Sequence, residues 1–295
     1  MQGFLLVDKP RGWTSHDVVA KMRGLLRTKK IGHAGTLDPM ATGLLVLGVG
    51  ACTKLLRFVQ EGRKRYEASA LFGVATDTLD ADGTVVEERP LQATEQQIRT
   101  AARSLIGNIE QVPPMTSAIK IDGRRLYELA REGKEIERPA RPVTIYDLAV
   151  TDVEMASETA TVTFSVTCSK GTYVRTLADD IARGVGSRAH LTALRRTANG
   201  SLSVAEAHTI DALQTAADEE CIGEMLLPAV DGLPDLARFD LPDELASRVR
   251  NGAKIDASEF ELEEGAYVRM VNDGSLLAVY ETKGAAVVPA AVMPS

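Results

Sequence analysis

An α+β fold is predicted for this 295-residue chain, and three observations predict it. LLVLGVG (44–50) is a continuous apolar run of strand length, the pattern of a strand buried on both faces. TIYDLAVTDVE (144–154) precedes TVTFSVTCS (161–169), in which Val162, Phe164, Val166 and Cys168 alternate with polar residues as in an antiparallel hairpin. Helical signals fall between such strands without a regular βαβ repeat, which argues against a doubly wound sheet. Composition is ordinary for a globular chain, with 44% hydrophobic and 25% charged residues.

In chain order, GFLLVD (3–8) reads as the first strand and not as a signal peptide. Thr14 or Ser15 is a helix N-cap, and Val18, Val19, Met22 and Leu25–Leu26 at helical spacing predict a helix over 16–28. Residues 66–73 form a further strand leading into ATDTLDADG (75–83), an acid-rich turn read as solvated. Thr94 and Gln97 make a capping box that opens a helix running toward Ile106 and stopped by Gly107. Residues 107–142, rich in Pro, Gly and mixed charge, read as a projecting arm with a short helix over Arg124–Glu132. After the hairpin, Thr172–Arg183 is helical and ends at Gly184, and Thr209 caps one more helix. Composition shifts near Leu233. Beyond it, FDLPDELASRVRNGAKI predicts a short helix, and Asn272-Asp273-Gly274 predicts a tight hairpin. The expected organisation is a large domain over 1–235 and a small β-rich one over 236–295.

The net charge of -7 conceals an asymmetry. Residues 1–66 carry twelve Lys/Arg against four Asp/Glu, with clusters at Lys21–Lys30 and Arg63–Arg65, whereas 205–295 carry six against eighteen. A basic body that meets phosphates and an acidic tail that does not is one reading; a solvated helix face explains Lys21–Lys30 as well. Cys52, Cys168 and Cys221 are widely spaced, without CxxC or zinc-ligand partners, and are expected to be small core residues in a reducing cytoplasm. No apolar run approaches the roughly 20 residues that span a bilayer.

GHAGTLDPMATGLL (32–45) is the segment most suggestive of chemistry. It places one carboxylate, Asp38, before Pro39 in a glycine-rich frame, which a simple Asp-Pro turn also explains. Neither GxxxxGK[ST] nor GxGxxG is present, so nucleotide-loop readings are weak, and no GxSxG occurs. A two-carboxylate glycosidase using Asp77, Asp80 or Asp82 is conceivable. Taken with LLVDKPRGWTSHDVV (5–19), RYEASALFGVATDTLDADG (65–83), PPMTSAIKIDGRRLYELAREG (113–133), SKGTYVRTLADDIA (169–182) and LRRTANG (194–200), the segment resembles the bacterial tRNA pseudouridine synthase B (TruB) family.

That resemblance implies a pseudouridine synthase fold with a mixed, largely antiparallel central sheet and a C-terminal PUA-like β-barrel. It implies isomerisation of the T-arm uridine of tRNA (position 55) to pseudouridine by base flipping, without cofactor or metal. Asp38 becomes the catalytic aspartate, Arg175 its cationic partner, and Tyr66 the aromatic group against the target base. His33 contacts RNA where the base leaves its stack, and Leu194 lines the pocket. Tyr173, two residues before Arg175, shares a face with it if the segment is extended. Lys9-Pro10 is scaffold beneath the Asp38 loop. Thr116 departs from the tyrosine common in the family (PPMYSA), a difference bearing on RNA contact and not on chemistry. The expected partner is the tRNA T-arm stem-loop; the chain is expected to act as a cytoplasmic monomer with no obligate protein partner. A tRNA-folding chaperone, or a synthase acting on another RNA, are the alternative readings.

Overall fold

Backbone hydrogen bonding along Gly3–Lys9 runs antiparallel to Thr42–Val49, from Gly3 opposite Val49 to Lys9 opposite Gly43. This pairing brings the two most apolar runs of the N-terminal region together and buries nearly all of both. The computed structural model describes all residues except 118–119, 122–123, 127–131, 133, 135, 258–259, 261 and 295. The chain divides into two compact units, one of 1–39, 43–62 and 198–295, the other of 40–42 and 63–197.

In the first unit, Ile31–His33 pairs antiparallel with Thr42–Val49, and His208–Thr209 pairs parallel with Gly3–Lys9. Helix Ser15–Leu25 starts at Thr14, whose hydroxyl accepts from Asp17 N–H while the Asp17 carboxylate accepts from Thr14 N–H. This capping box satisfies two of the four unpaired amides of the first turn. The helix ends at Leu25, three residues short of the expected end, and Arg27 beyond it takes a positive φ of 49°. Residues 237–292 form a five-stranded sheet, with Ala237–Asp240 parallel to Tyr267–Asn272 and the other pairs antiparallel. Its expected hairpin forms with Asn272 opposite Ser275, and Asp273 and Gly274 at φ 48° and 71°. These are the left-handed values a two-residue turn of this hand requires. Helix Asp243–Arg250 buries Ala246 and Val249 beside Tyr280, whose hydroxyl donates to Ala253 O at 2.8 Å.

In the second unit, Lys64–Phe72 pairs antiparallel with Ala160–Cys168, and that strand with Arg141–Met155. The alternation read from the sequence is realised residue by residue: Ala160, Val162, Phe164, Val166 and Cys168 are buried and their neighbours are not. Gly107–Gln111 then pairs with Arg141–Ile145, so the segment expected to open the arm is an edge strand. Its polar composition fits an edge that water covers on one side. The helix expected over Arg124–Glu132 lies largely outside the described residues, and Arg124–Arg125 pairs as a strand with Lys120–Ile121. Helix Glu95–Ser104 carries its predicted capping box and ends before Gly107, at φ 113°. Cys52 and Cys168 are buried, and burial raises both thiols to about 11; Cys221, three residues past the end of helix Ile210–Asp218, is only half-buried and so departs from the expected core position. Among the described residues, no helix is long and apolar enough to cross a membrane.

Helix Val174–Arg183 is almost wholly buried and carries adjacent acids with opposite fates. Burial opposes the charge on Asp179, but hydrogen bonds from Arg188, the Ala189 N–H and Arg183 outweigh it and hold the carboxyl below its ordinary value. Asp180 is pushed up to about 6, first by burial and second by the Asp179 charge. Unfolded, it titrates near 3.8, so between those values the folded chain keeps a proton that the unfolded chain has released. Stability therefore falls as pH rises through that window, and the cost is complete above it. Asp180→Asn is expected to stabilise the fold by about 2 kcal/mol at pH 8, with the gain vanishing below about pH 4. Urea unfolding at the two pH values checks this, and a gain that does not depend on pH would refute it.

Candidate active site

Asp38 is half-buried in the loop after Ile31–His33, between Leu37 and Met40, each 3% exposed. Both flanks are held from beneath. The Ser15 hydroxyl, 1% exposed, accepts from Leu37 N–H at 2.9 Å and donates to Leu37 O at 3.2 Å. On the other side the Pro39 carbonyl accepts from Gly12 N–H at 2.8 Å and from the Lys9 ammonium at 3.4 Å. Lys9 is fully buried and also donates to Pro10 O and Trp13 O at 2.9 and 2.7 Å, tying the loop to the turn after the first strand. A buried ammonium persists only where such acceptors replace its water. Gly35 at φ 108° and Gly43 at φ 98° bound the loop, conformations that residues with a Cβ seldom adopt. Asp38 thus rides on a backbone fixed at positions 37 and 39 by groups that do not involve its own side chain.

Arg175, 3% exposed, lies in the first turn of helix Val174–Arg183. Its Nη1 donates to Thr78 O at 2.9 Å, Asp80 Oδ2 at 3.2 Å and Thr116 Oγ1 at 2.6 Å, and its Nη2 to Thr116 O at 3.3 Å. Asp80 is 5% exposed and accepts further from Thr78 Oγ1 at 2.6 Å and Asp82 N–H at 3.2 Å. Leu79, between these acceptors, has φ 59°, an uncommon conformation for a branched residue, held by the bond from Leu191 N–H to Leu79 O at 3.0 Å. The acid-rich turn read as solvated is therefore the anchor of a buried guanidinium.

Tyr173 precedes the helix and is pinned by Gln111, whose amide accepts from its N–H at 2.7 Å and donates to its carbonyl at 3.2 Å. The backbone turns helical at Val174, so Tyr173 and Arg175 do not share an extended face as expected. Tyr66 sits on Lys64–Phe72 opposite Val166, and Leu194 on Ala189–Asn199; they are 9% and 7% exposed. His33 ends its short strand with its ring edge-on to His16, centroids 5.5 Å apart. Asp38 and His33 belong to the first unit; Tyr66, Tyr173, Arg175 and Leu194 belong to the second. Among the described residues, no cluster of His, Cys, Asp and Glu is placed to hold a metal ion.

Residues 23–174 match the TruB family pseudouridylate synthase N-terminal domain, and 175–233 match the tRNA pseudouridylate synthase B C-terminal domain. The chain belongs to the tRNA pseudouridine synthase B family. It is 41% identical over 285 residues to tRNA pseudouridine synthase B of Geobacillus thermodenitrificans, spanning 95% of this chain and 94% of that protein. Identity to the Bacillus subtilis protein of the same name is 42%, over 95% of this chain and 93% of that one. Among solved structures, a Cbf5-Nop10-Gar1 complex superposes with a TM-score of 0.75 at 25% identity, covering 99% of this chain and 85% of that chain. An H/ACA RNP bound to a substrate RNA containing 2'-deoxyuridine gives the same TM-score at 23% identity and supports the pseudouridine synthase fold.

Sequence reasoning missed what Ser15, Asp80 and Gln111 hold in place, and it associated Thr116 with RNA contact where the structure places its hydroxyl on Arg175. Asp80 lay in a motif already singled out; its burial was the missing information. For Ser15, a clear outcome follows. Ser15→Ala leaves the Leu37 N–H without its hydroxyl acceptor, a loss of about 1–3 kcal/mol for a buried donor. On the expectation that Asp38 is the catalytic carboxylate, turnover should fall about tenfold through disorder of its loop, by the sensitivity of catalysis to small misplacement. RNA affinity should stay within about twofold, because the hydroxyl is buried. Single-turnover kinetics with parallel binding titrations separates the two, and a pure affinity loss would contradict the assignment.

Proposed function

We propose that this RNA pseudouridine synthase isomerises the T-arm uridine of tRNA, position 55, with Asp38 as its catalytic carboxylate. The observation that carries the reading is the match to tRNA pseudouridine synthase B proteins along nearly the whole chain, through the motif that holds Asp38. Atoms balance without a co-reactant: the N1–C1′ bond breaks, a C5–C1′ bond forms, the C5 proton leaves and N1 gains one. Such a sequence requires the freed uracil to be retained and water kept from C1′, which favours partly enclosed groups over surface ones. A half-buried Asp38 and nearly buried Tyr66 and Leu194 suit those demands. Arg175 carries over as the cation that keeps the aspartate charged, Tyr66 as the ring against the base, and Tyr173 and His33 as substrate contacts.

Extruding a base from a folded arm costs a few kcal/mol, which phosphate contacts must offset. The basic 1–66 region and the 107–142 segment supply cations for this, and 236–295 is assigned as a PUA-like domain. The chain acts alone on its RNA, as a monomer in the cytoplasm. Incubation with unmodified tRNA transcript, followed by chemical mapping of pseudouridine, should yield one modified nucleotide in the T arm. Modification elsewhere, or none, would overturn the proposal.

A further inference from the structure

Strand Gly107–Gln111 ends just before Pro113 and Pro114, which have no N–H with which to extend its pairing. Its last residue, Gln111, is 2% exposed, and its side chain crosses to Tyr173, 62 positions away. The amide engages both polar groups of that residue's backbone: its oxygen accepts from Tyr173 N–H at 2.7 Å and its Nε2 donates to Tyr173 O at 3.2 Å. Tyr173 O also accepts from Leu177 N–H at 3.0 Å, so both of its lone pairs are used. Tyr173 stands at the N-cap of helix Val174–Arg183, with φ -99° and ψ 106°, and its side chain makes no capping bond. A serine, threonine or aspartate there would fix its own turn. A phenol does not, and the fixing group comes from the neighbouring strand.

Asp180 decides which way that amide faces. Nε2 carries a second N–H, and the Asp180 carboxylate, about two turns along the helix from Tyr173, accepts from Gln111 as well. Turned over, the amide would set its oxygen against Tyr173 O and Asp180 and its NH2 against Tyr173 N–H, so one orientation alone satisfies all three groups. Asp180 takes no part in the proposed chemistry, and its charge is opposed by burial and by Asp179. Orienting Gln111 gives this costly carboxylate a purpose. Further along the segment that follows Gln111, Thr116 accepts from Arg175 Nη1 at 2.6 Å, so one stretch of chain holds both Tyr173 and Arg175. We infer that Gln111 is a positioning residue for the reaction: kept in one orientation by Asp180, it fixes the backbone from which the Tyr173 ring meets the substrate. It acts through Tyr173 and touches no reacting group. The inference rests on the reading of Tyr173 as a substrate contact and deepens it.

The test measures single-turnover rate and RNA affinity on unmodified tRNA transcript for wild type, Gln111→Met, Tyr173→Ala, their double variant, Asp180→Asn and Asp180→Leu. Gln111→Met keeps the length of the side chain and loses both bonds to Tyr173. Its rate at saturating RNA is expected to fall about tenfold, with affinity within about twofold of wild type. In the Tyr173→Ala background the same change should cost less than about twofold, because the ring it positions is gone. Asp180→Asn keeps an acceptor oxygen for Gln111 and Asp180→Leu does not, so the asparagine variant should react at least about fivefold faster than the leucine one. Ser187→Ala removes a buried bond to Arg89 O beyond the far end of the helix and serves as the control for lost stability. All rates are taken well below the lowest Tm of the set. A Gln111→Met rate no lower than that of Ser187→Ala, equal rates for the two Asp180 variants, or additive losses with Tyr173→Ala would overturn the assignment. A rate indifferent to Tyr173→Ala would defeat the reading of Tyr173 itself, and the inference with it. Failure of wild type to modify the transcript would instead defeat the T-arm reading, so the cases are distinguishable.

Discussion

Asp38→Asn is expected to abolish pseudouridine formation while leaving RNA binding within about twofold of wild type. The asparagine keeps the volume of the side chain and removes only its charge and nucleophilicity. Backbone support for the loop comes from Ser15 beneath Leu37 and from Gly12 and Lys9 at Pro39, none of which needs the Asp38 carboxylate. The folded loop should therefore survive the change. A group that acts on a glycosidic bond contributes through differential stabilisation of the transition state, and each factor of ten in rate corresponds to about 1.36 kcal/mol. Removal of an essential charged group at this point is expected to cost at least about 5 kcal/mol, or more than three orders of magnitude in rate. Tritium release from C5-labelled uridine in a T-arm transcript provides the measurement. Residual conversion above about 1% of wild type, a loss of less than about 3 kcal/mol, would remove Asp38 from the catalytic role. Equal loss of binding and conversion would instead mean that the carboxylate shapes the loop.

How legible such a site is in sequence depends on whether its signal is local. Period-two burial in Ala160–Cys168, the capping box at Thr94, an N-cap at Thr14 or Ser15, and the Asp273-Gly274 turn are set by neighbours a few residues apart, and these were readable. Gly107–Gln111 was misread because its polar residues suit both an edge strand and a loop; only its pairing with Arg141–Ile145 decides. Asp80 was misread for a related reason. An acid in an Asp- and Thr-rich turn is ordinarily solvated, and what buries this one is a guanidinium 95 positions away. Ser15 and Leu37 are 22 positions apart, and no local pattern marks a serine as the support of a distant loop. Lys9 stood in a recognisable motif, yet its three carbonyl partners follow from the fold. Local chemistry was visible; the long-range partners that orient it were not.

Asp80→Asn is expected to be the most costly substitution outside the Asp38 loop, in both stability and turnover. It retains shape but leaves the Arg175 charge, 3% exposed, facing a neutral amide. Breaking one half of a buried ion pair typically costs about 3–5 kcal/mol. Thr78 O, Thr116 Oγ1 and Thr116 O continue to accept from the guanidinium, which places the expected loss near 3 kcal/mol. By the size dependence of thermal unfolding this is a drop of about 6–12 °C in Tm. Arg175→Met should be comparably harmful, because it strands the Asp80 carboxylate, although Thr78 Oγ1 and Asp82 N–H still donate to it. The double variant carries neither buried charge and is expected to recover about 1–3 kcal/mol relative to the sum of the single losses. Turnover behaves differently. If the cradle exists to present Arg175 for catalysis, the double variant regains stability but no activity, and Arg175→Lys, which keeps the charge without the planar fork, remains impaired by about tenfold or more. Denaturant unfolding and single-turnover rates, measured well below the lowest Tm of the set, distinguish these effects. Activity that returned together with stability in the double variant would show the pair to be scaffold, and additive losses would show that the two charges do not support each other.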